Sequence, residues 1–336
     1  MEGAPEAGYA FFGAEALLKR LQTLTEECGA RRAEDVESIH RMRVASRRLR
    51  AALDLFKDTL PRKKYTGWEK QVKRVTRALG AVRDIDVQIA AVDDYLGRLS
   101  GPGLRPGLAR LRLRLQQRRA RLQTDVFKVL DAWETSAIAD DMGQSLRRTL
   151  VRARMNRVQT VSPMTIQRAQ AHILRRLEEF LSYEFFVDKP ERVEELHAMR
   201  IAAKRLRYTL EIFVPLDKDG FKKPLQAARE AQERLGDIHD GDVWALYLPE
   251  FIEEERGRMI KYMGSARAFG RLAVGLRRLR QDRRRRRNQN YRDFVLFWKQ
   301  SQEQDVWGHL SRQVQAPAKP VEPPPAAPAP DLENPA

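Results

Sequence analysis

Two stretches of the sequence combine histidine with closely spaced arginines. HRMRVASRRLR begins at His40, and HAMRIAAKRLR begins at His197. The planar guanidinium of arginine can hydrogen-bond two phosphate oxygens at once, and it stays charged near pH 7. A histidine beside a phosphate can donate a hydrogen bond and gain a proton. Both stretches therefore favour the binding of phosphate-rich anions.

On a helix, the charged residues of each stretch share one face. At 100° per residue the four in the first stretch fall within roughly 80° of arc, opposite an apolar face. The first basic stripe consists of His40, Arg43, Arg47 and Arg50, and the second basic stripe of His197, Arg200, Lys204 and Arg207. Arg48 and Arg205 lie at the flanks of the stripes. Each stripe predicts an amphipathic helix with one cationic side.

A charged helix face is often no more than a solvated surface, which is the alternative interpretation of the two stripes. Solvated faces usually mix Glu with Lys, whereas like charges at i,i+3 and i,i+4 destabilise an isolated helix by about 0.2–0.5 kcal/mol per pair. The same unfavourable arrangement occurs twice in this chain. Because side chains one turn apart are ~5–6 Å apart, such a stripe can follow successive phosphates of an extended chain. We therefore favour a binding function over simple solvation.

Three matched segments occur in the same order in the two halves of the chain. Residues 40–56 match 197–213 at nine of seventeen positions, and LGAVRDIDV (79–87) matches LGDIHDGDV (235–243). Upstream, LLKRL beginning at Leu17 matches ILRRL. Apolar residues recur at spacings of three and four nearly throughout, which indicates helices. The sequence predicts an all-α fold of two four-helix bundles, one per repeat.

The predicted boundaries follow from this duplication. The first repeat spans about 8–158 and the second about 164–305, which together form one domain over 8–305. From 315 to 336 the chain is rich in proline, so we predict a disordered tail there.

The composition limits the classes of partner. The 336 residues include 63 Lys and Arg against 46 Asp and Glu, a formal net charge of +17, which predicts an anionic partner. One cysteine, Cys28, excludes an intrachain disulfide. The sequence has neither a secretory signal pattern nor an apolar run of about 18–20 residues, so we expect a cytoplasmic protein without a membrane partner.

Paired aspartates occur in the second matched segment, as Asp84 with Asp86 and as Asp240 with Asp242. One interpretation is a metal site, since carboxylates are hard oxygen ligands. The interpretation we favour is that these acids orient neighbouring arginines through charge-assisted hydrogen bonds. The histidines lack zinc-ligand spacing. No Walker loop or nucleophile–base set is visible, so we expect no metal, no cofactor and no catalytic residues.

Two further arginine-rich stretches, 147–157 and 277–287, are open to two interpretations. Each could contact nucleic acid, or each could extend the positive surface around the stripes. Neither contains the interleaved aromatic residues that base stacking favours, and no helix-turn-helix or zinc-finger motif is present. A nucleic-acid-binding protein that uses the basic surface is therefore the alternative function.

The histidine–arginine signature, its repetition and the LGxxRDxDV segment together resemble the CHAD domain, the histidine-containing α-helical domain. The resemblance covers about 8–305 and implies two bundles related by pseudo-twofold symmetry around a basic central groove or pore. It also implies binding of inorganic polyphosphate by both stripes with Arg48 and Arg205, and association with polyphosphate granules. Many family members also carry a CYTH catalytic domain, which we do not expect here.

Helical position alone adds four candidate residues to the wall of the groove: Lys19, Lys73, Arg175 and Arg229. The two repeats also differ at matched positions. Arg47 is matched by Lys204, which keeps the charge but loses bidentate geometry, and Arg83 is matched by His239. We therefore expect the first repeat to contribute more binding energy, and the two stripes to form one shared site.

Overall fold

The computed structural model describes residues 4–29 and 35–317, and all regular secondary structure in those ranges is helical. The first half contains α1 (Ala4–Gly29), α2 (Val36–Leu55), α3 (Arg62–Gly97), α4 (Arg105–Thr135) and α5 (Ile138–Met155). The second half contains α6 (Pro163–Leu181), α7 (Val193–Phe213), α8 (Lys218–Met263), α9 (Phe269–Glu303) and α10 (Val306–Gln315). The predicted all-α class is confirmed. Most of the predicted tail, 318–336, lies outside the described residues.

Local sequence explains where several of these helices begin and end. The Asp35 side chain accepts hydrogen bonds from the backbone N–H groups of Glu37 and Ser38 and so caps α2. Ser162 caps α6 in the same way, immediately before a proline in its first turn. The chain leaves α8 through Gly264, whose φ of 70° is readily adopted only by glycine.

Helix α10 is the element that the periodicity did not predict. It is short, and only a brief break containing Asp305, with a φ of 50°, separates it from α9. It packs against α6, α8 and α9. The buried Trp307 ring contacts Phe180 and Trp298, with ring centroids 5.1 and 6.2 Å away. The packed second half therefore continues beyond residue 305.

Each half follows the same order of helix contacts. In the first, α1 contacts α2 and α5, and α3 contacts α2 and α4; in the second, α6 contacts α7 and α10, and α8 contacts α7 and α9. Between the halves, α1 packs on α6, α2 on α7, and α4 on α9. The two helices that carry the basic stripes, α2 and α7, are therefore direct neighbours.

The largest hydrophobic core is shared by the two halves. Phe56, at the end of α2, and Phe213, at the end of α7, are fully buried with ring centroids 6.2 Å apart. Phe12 from α1 stacks on Phe213 at 5.7 Å. The apolar faces of α2 and α7 thus meet in one continuous core, whereas the sequence suggested that each would turn into a bundle of its own.

A second core lies where the α3–α4 and α8–α9 hairpins pack together. Its buried side chains include Val92, Leu111, Trp244 and Leu276. Two glycines allow the backbones to approach closely, because a Cβ on Gly107 or Gly275 would overlap a carbonyl oxygen of the facing segment. Across the described ranges, no helix combines the length and the apolar character needed to cross a lipid bilayer.

Candidate functional site

The structure brings the two basic stripes together. Arg47 of α2 acts electrostatically on both Lys204 and Arg200 of α7, and Arg50 also acts on Lys204. Burial and these neighbouring cations lower the pKa of Lys204 to about 7. We refer to the eight stripe residues, considered together, as the central basic site.

Tyr208 lies between arginines of the two helices. Its ring centroid is 5.9 Å from the guanidinium carbon of Arg47 and 4.7 Å from that of Arg207. The ring is buried and presents an electron-rich face to both cations. The sequence analysis missed this residue. The signal that could have found it was the mismatch between Ala51 and Tyr208 at equivalent positions of two otherwise similar helices.

The first aspartate of each pair faces the stripes. Arg43 Nη2 donates to Asp84 Oδ1 at 3.4 Å, and the Asp84 side chain is 70% exposed. Asp240 interacts electrostatically with Arg200, while desolvation raises the pKa of its carboxyl group. The two acids also interact with each other, which places the neighbouring turns of α3 and α8 at the same end of the site.

The second aspartate of each pair joins two helices outside the stripes. Arg119 Nε of α4 donates to Asp86 Oδ1 at 2.6 Å, and Arg287 Nε of α9 donates to Asp242 Oδ1 at 2.9 Å. Asp86 is buried. These matched contacts hold α3 to α4 and α8 to α9. That the four acids orient neighbouring arginines for binding remains a prediction.

The histidines of the two stripes have different surroundings. Burial and the nearby Arg83 lower the pKa of His40, and its buried Nδ1 has no hydrogen-bond partner among the described residues. His197 Nδ1 lies 3.0 Å from His239 Nδ1. Burial and Arg200 lower the pKa of His239 to about 4. Near pH 7 these rings are therefore neutral, and each can gain a proton when an anion binds beside it.

The flanking arginines are engaged by acids. Arg48 Nε lies 3.4 Å from Glu211 Oε2, and Arg205 pairs with Glu179. The first of these salt bridges joins the two halves. Their guanidinium groups are thus partly neutralised, whereas Arg47, Arg200 and Lys204 at the α2–α7 contact form no salt bridge among the described residues.

Arg176, which was not among the wall residues selected from the sequence, also joins the two halves by a salt bridge. Arg176 of α6 bridges Asp54 of α2 at 3.0 Å and Glu179 at 2.9 Å. The neighbouring Arg175, selected from the sequence, is exposed. Asp54 and Glu211 occupy matched positions in the two repeats, a signal that could have identified these cross-half contacts.

A cavity of about 990 Å³, lined chiefly by α1 and α2, contains two of the predicted wall residues. Lys19 and Arg229 line it together with His40 and Arg48. Four glutamates also line it, so its charge is mixed. The half-buried Lys73 and the exposed Arg175 do not line this cavity.

The arginine-rich stretch 277–287 contains two structural side chains. Arg283 donates to the Ala91 carbonyl at 2.9 Å and lies over the Trp244 ring, and Arg287 donates to the Pro190 carbonyl at 2.7 Å. Most other residues of the stretch are exposed on α9, and most of 147–157 is exposed around the end of α5. In the part of the chain that the structure describes, no three metal-ligating side chains cluster as a metal site would need.

Comparison of the sequence with known proteins gives two findings. The profile of the CHAD domain matches residues 14–249. An uncharacterized protein of Mycobacterium tuberculosis (strain CDC 1551 / Oshkosh) is 27% identical over 215 residues, which are 63% of this chain and 40% of that protein. The chain thus spans less than half the length of this relative.

Comparison of the fold with solved structures agrees with the sequence match. The crystal structure of the CHAD domain from the plant Ricinus communis has a TM-score of 0.58 at 23% identity, covering 80% of this chain and 91% of that one. PptA from Streptomyces chartreusis has a TM-score of 0.61 at 17% identity, covering 87% and 99%. At these identities the likeness shows a shared fold.

Proposed function

Since the chain belongs to the CHAD domain family, as the match over residues 14–249 shows, we propose that it binds inorganic polyphosphate at the central basic site. The family is linked to polyphosphate binding in general. The resemblance drawn from the two motif stretches is confirmed at the level of the family. The proposal assigns the binding to the two stripes of this chain.

The observation that carries the proposal is the meeting of cations from α2 and α7. Arg47, Arg200 and Lys204 lie close enough together that their mutual repulsion helps to lower the pKa of the lysine. Like charges held together in a partly buried site are unfavourable until an anion neutralises them. An extended polyphosphate chain supplies repeated negative charge, and arginine can grip its oxygens with paired hydrogen bonds.

One polyphosphate chain bridges both stripes in this proposal. Binding to the first stripe raises the effective concentration of the same chain at the second. The matched contacts between α1 and α6, α2 and α7, and α4 and α9 support a pseudo-twofold relation between the halves, with the binding groove at its centre. Short phosphates, which reach fewer cations, bind more weakly.

We propose binding without hydrolysis. The groups that line the central basic site are cations, neutral histidines, one tyrosine and two aspartates, and none forms a nucleophile–base pair of the kind that activates hydroxyl or thiol groups. Incubation of the protein with long-chain polyphosphate and a divalent metal, followed by phosphate-release and chain-length assays, tests this. Metal-dependent turnover that Asp84→Ala abolishes would assign a catalytic role to the acids.

The decisive experiment for the binding function is a competition. Labelled long-chain polyphosphate is bound to the protein and displaced by unlabelled polyphosphate, duplex DNA or RNA at matched total charge. We expect polyphosphate to displace the label at the lowest concentration, because its flexible chain can pass between two stripes on adjacent helices. Equal displacement by DNA or RNA would favour the alternative, a nucleic-acid-binding protein.

A further inference from the structure

The end of the α8–α9 hairpin exposes apolar side chains among basic ones. Ile260, Tyr262 and Met263 are 46%, 78% and 72% exposed. The tip, residues 256–271, also contains Arg256, Arg258, Lys261, Arg267 and Arg271. No aspartate or glutamate occurs between Glu255 and Asp282. The tip therefore combines positive charge with apolar surface, and neither the central basic site nor the core uses it.

The tip is held together by its own small core. The buried Met259, Phe269 and Ala273 form a cluster whose partly buried neighbours come from the same hairpin. Contacts with the α3–α4 hairpin occur at its base, where Glu255 accepts from Arg110 and where the Leu272 carbonyl faces Gly107. The tip is a packed unit, and its exposed side chains are not needed to join the two hairpins.

Arg256 and Arg258 pair with glutamates at the base of the tip, but the other cations of this surface are not neutralised within the described part of the molecule. In the described ranges Lys261, Arg267 and Arg271 form no salt bridge, and the exposed arginines farther along α9 behave in the same way: Arg277, Arg278, Arg280, Arg284 and Arg285. Several arginines of α4, in the corresponding hairpin, differ. Arg110 and Arg114 both pair with Glu255, and Arg112 pairs with Asp93.

We propose that this tip is a docking surface for an anionic lipid membrane. Lys261, Arg267 and Arg271 contact the headgroup phosphates, while the apolar side chains at the turn enter the interfacial layer. The apolar side chains favour a lipid surface over nucleic acid, because the phosphate backbone of a duplex offers no apolar layer to receive Ile260 and Met263. The sequence-based expectation of no membrane partner considered spanning segments, which peripheral docking does not require.

Binding of the full-length chain to vesicles tests the proposal. Vesicles of one part phosphatidylglycerol to three parts phosphatidylcholine are compared with pure phosphatidylcholine by sedimentation. We expect binding to the anionic vesicles only. The triple variant Ile260→Ser, Tyr262→Ser, Met263→Ser should lose about tenfold or more in vesicle affinity, yet keep wild-type affinity for polyphosphate and wild-type circular dichroism.

A matched control comes from the end of α5, where exposed apolar residues also lie among arginines. Val151→Ser with Met155→Ser removes comparable surface, since these residues are 53% and 79% exposed, and should leave vesicle binding unchanged. Arg43→Ala with Arg47→Ala should also leave it unchanged, which separates the tip from the central basic site. A wild-type result from the tip triple variant, or a loss in either control, would overturn the assignment.

Two further measurements distinguish the lipid surface from other anions. Tyr262→Trp should give an emission that shifts to the blue with anionic vesicles and is quenched by brominated acyl chains, which only entry into the lipid layer produces. Lys261→Glu with Arg267→Glu and Arg271→Glu should abolish vesicle binding. If the emission of the Tyr262→Trp variant is not quenched and the charge-reversal variant loses duplex DNA binding, the tip is assigned to nucleic acid instead.

Discussion

The two helices that carry the basic stripes have nearly the same sequence but different titration behaviour. In α2, the stripe cations are arginines, and the nearby Arg83 disfavours a proton on His40. In α7, one arginine is replaced by Lys204, whose pKa is lowered to about 7. The residue matched to Arg83 is His239, which lies against His197. The three arginines of the first stripe keep their charge near neutral pH, whereas Lys204 of the second stripe can change its charge there.

The two stripes therefore contribute to anion binding in different ways, which the sequence analysis did not distinguish. Arginine stays protonated when crowded, so α2 meets an incoming anion with fixed charge. Burial and like charges disfavour the charged form of Lys204, so we expect this residue of α7 to gain a proton as the anion arrives. The predicted inequality between the repeats thus becomes a dependence of affinity on pH.

The largest effect is expected from removing whole stripes. The triple variant Arg43→Ala, Arg47→Ala, Arg50→Ala should weaken long-chain polyphosphate binding by about a hundredfold or more, because charge-assisted hydrogen bonds contribute roughly 1.5–3 kcal/mol each. Arg200→Ala, Lys204→Ala, Arg207→Ala should have a smaller effect at pH 8, where Lys204 is mostly neutral, although it too removes two arginines. Calorimetric titration with long and short chains measures both.

Circular dichroism is the control for these stripe variants, since the mutated side chains lie opposite the apolar face of each helix. Stoichiometry decides between one site and two. If either variant binds half as much polyphosphate with unchanged affinity, the stripes are independent sites, which would contradict a single shared site.

A second prediction concerns salt. Because each phosphate contact releases counterions, the logarithm of the binding constant should fall steeply and linearly with the logarithm of salt concentration. At pH 8 the slope should become shallower by roughly three in the α2 triple variant and by less in the α7 variant, since each charged contact contributes about one. Affinity titrations between low and physiological salt measure the slopes. A flat response of the wild type would contradict an electrostatic site.

The third prediction uses the lowered pKa of Lys204, about 7. We expect polyphosphate to bind the protonated form, so its affinity should rise about tenfold as pH falls from 8 to 6. Lys204→Arg keeps the charge at both pH values and should remove most of this dependence. Calorimetry in two buffers of different ionisation enthalpy should show proton uptake on binding at pH 7.5 for the wild type but much less for the variant.

The same lysine affects stability in the opposite direction. Its folded pKa is depressed from 10.5 to about 7. The folded state therefore binds fewer protons than the unfolded state between these pH values, and the free energy of unfolding should rise with pH across that range. Denaturant unfolding of the wild type and of Lys204→Gln, which is neutral throughout, isolates this contribution. Identical pH profiles for the two proteins would show that Lys204 titrates normally.

The smallest effect is expected at Tyr208. Tyr208→Leu keeps an apolar side chain of similar bulk but removes the ring that lies between Arg47 and Arg207. Cation–π contacts of partly exposed cations contribute about 0.5–1 kcal/mol, so we expect a roughly two- to fivefold loss of polyphosphate affinity. Tyr208→Phe retains the ring face and should bind nearly as well as the wild type. A larger loss in the Phe variant would instead assign the role to the hydroxyl group.

Much of the architecture could be predicted from the sequence. Apolar periodicity predicted helices nearly throughout the two repeats, and the repeated motif identified two helices that carry the stripes. The periodicity did not predict α10, because ten residues after a brief break give too short a pattern. From the sequence, 277–287 could only be described as one charged stretch. In the structure, Arg283 donates a hydrogen bond to α3 and Arg287 donates one to the segment before α7.

The periodicity along the chain fixes the direction of each side chain around its own helix axis, and hence the two stripes and their opposite apolar faces, while the matched segments establish the duplication. Which helices face each other is determined by their tertiary packing. It placed Arg47 beside Lys204, the Tyr208 ring against Arg47 and His197 against His239, although these partners are far apart along the chain. Periodicity records an angle about one axis, whereas proton affinity depends on the distance to charges on another helix.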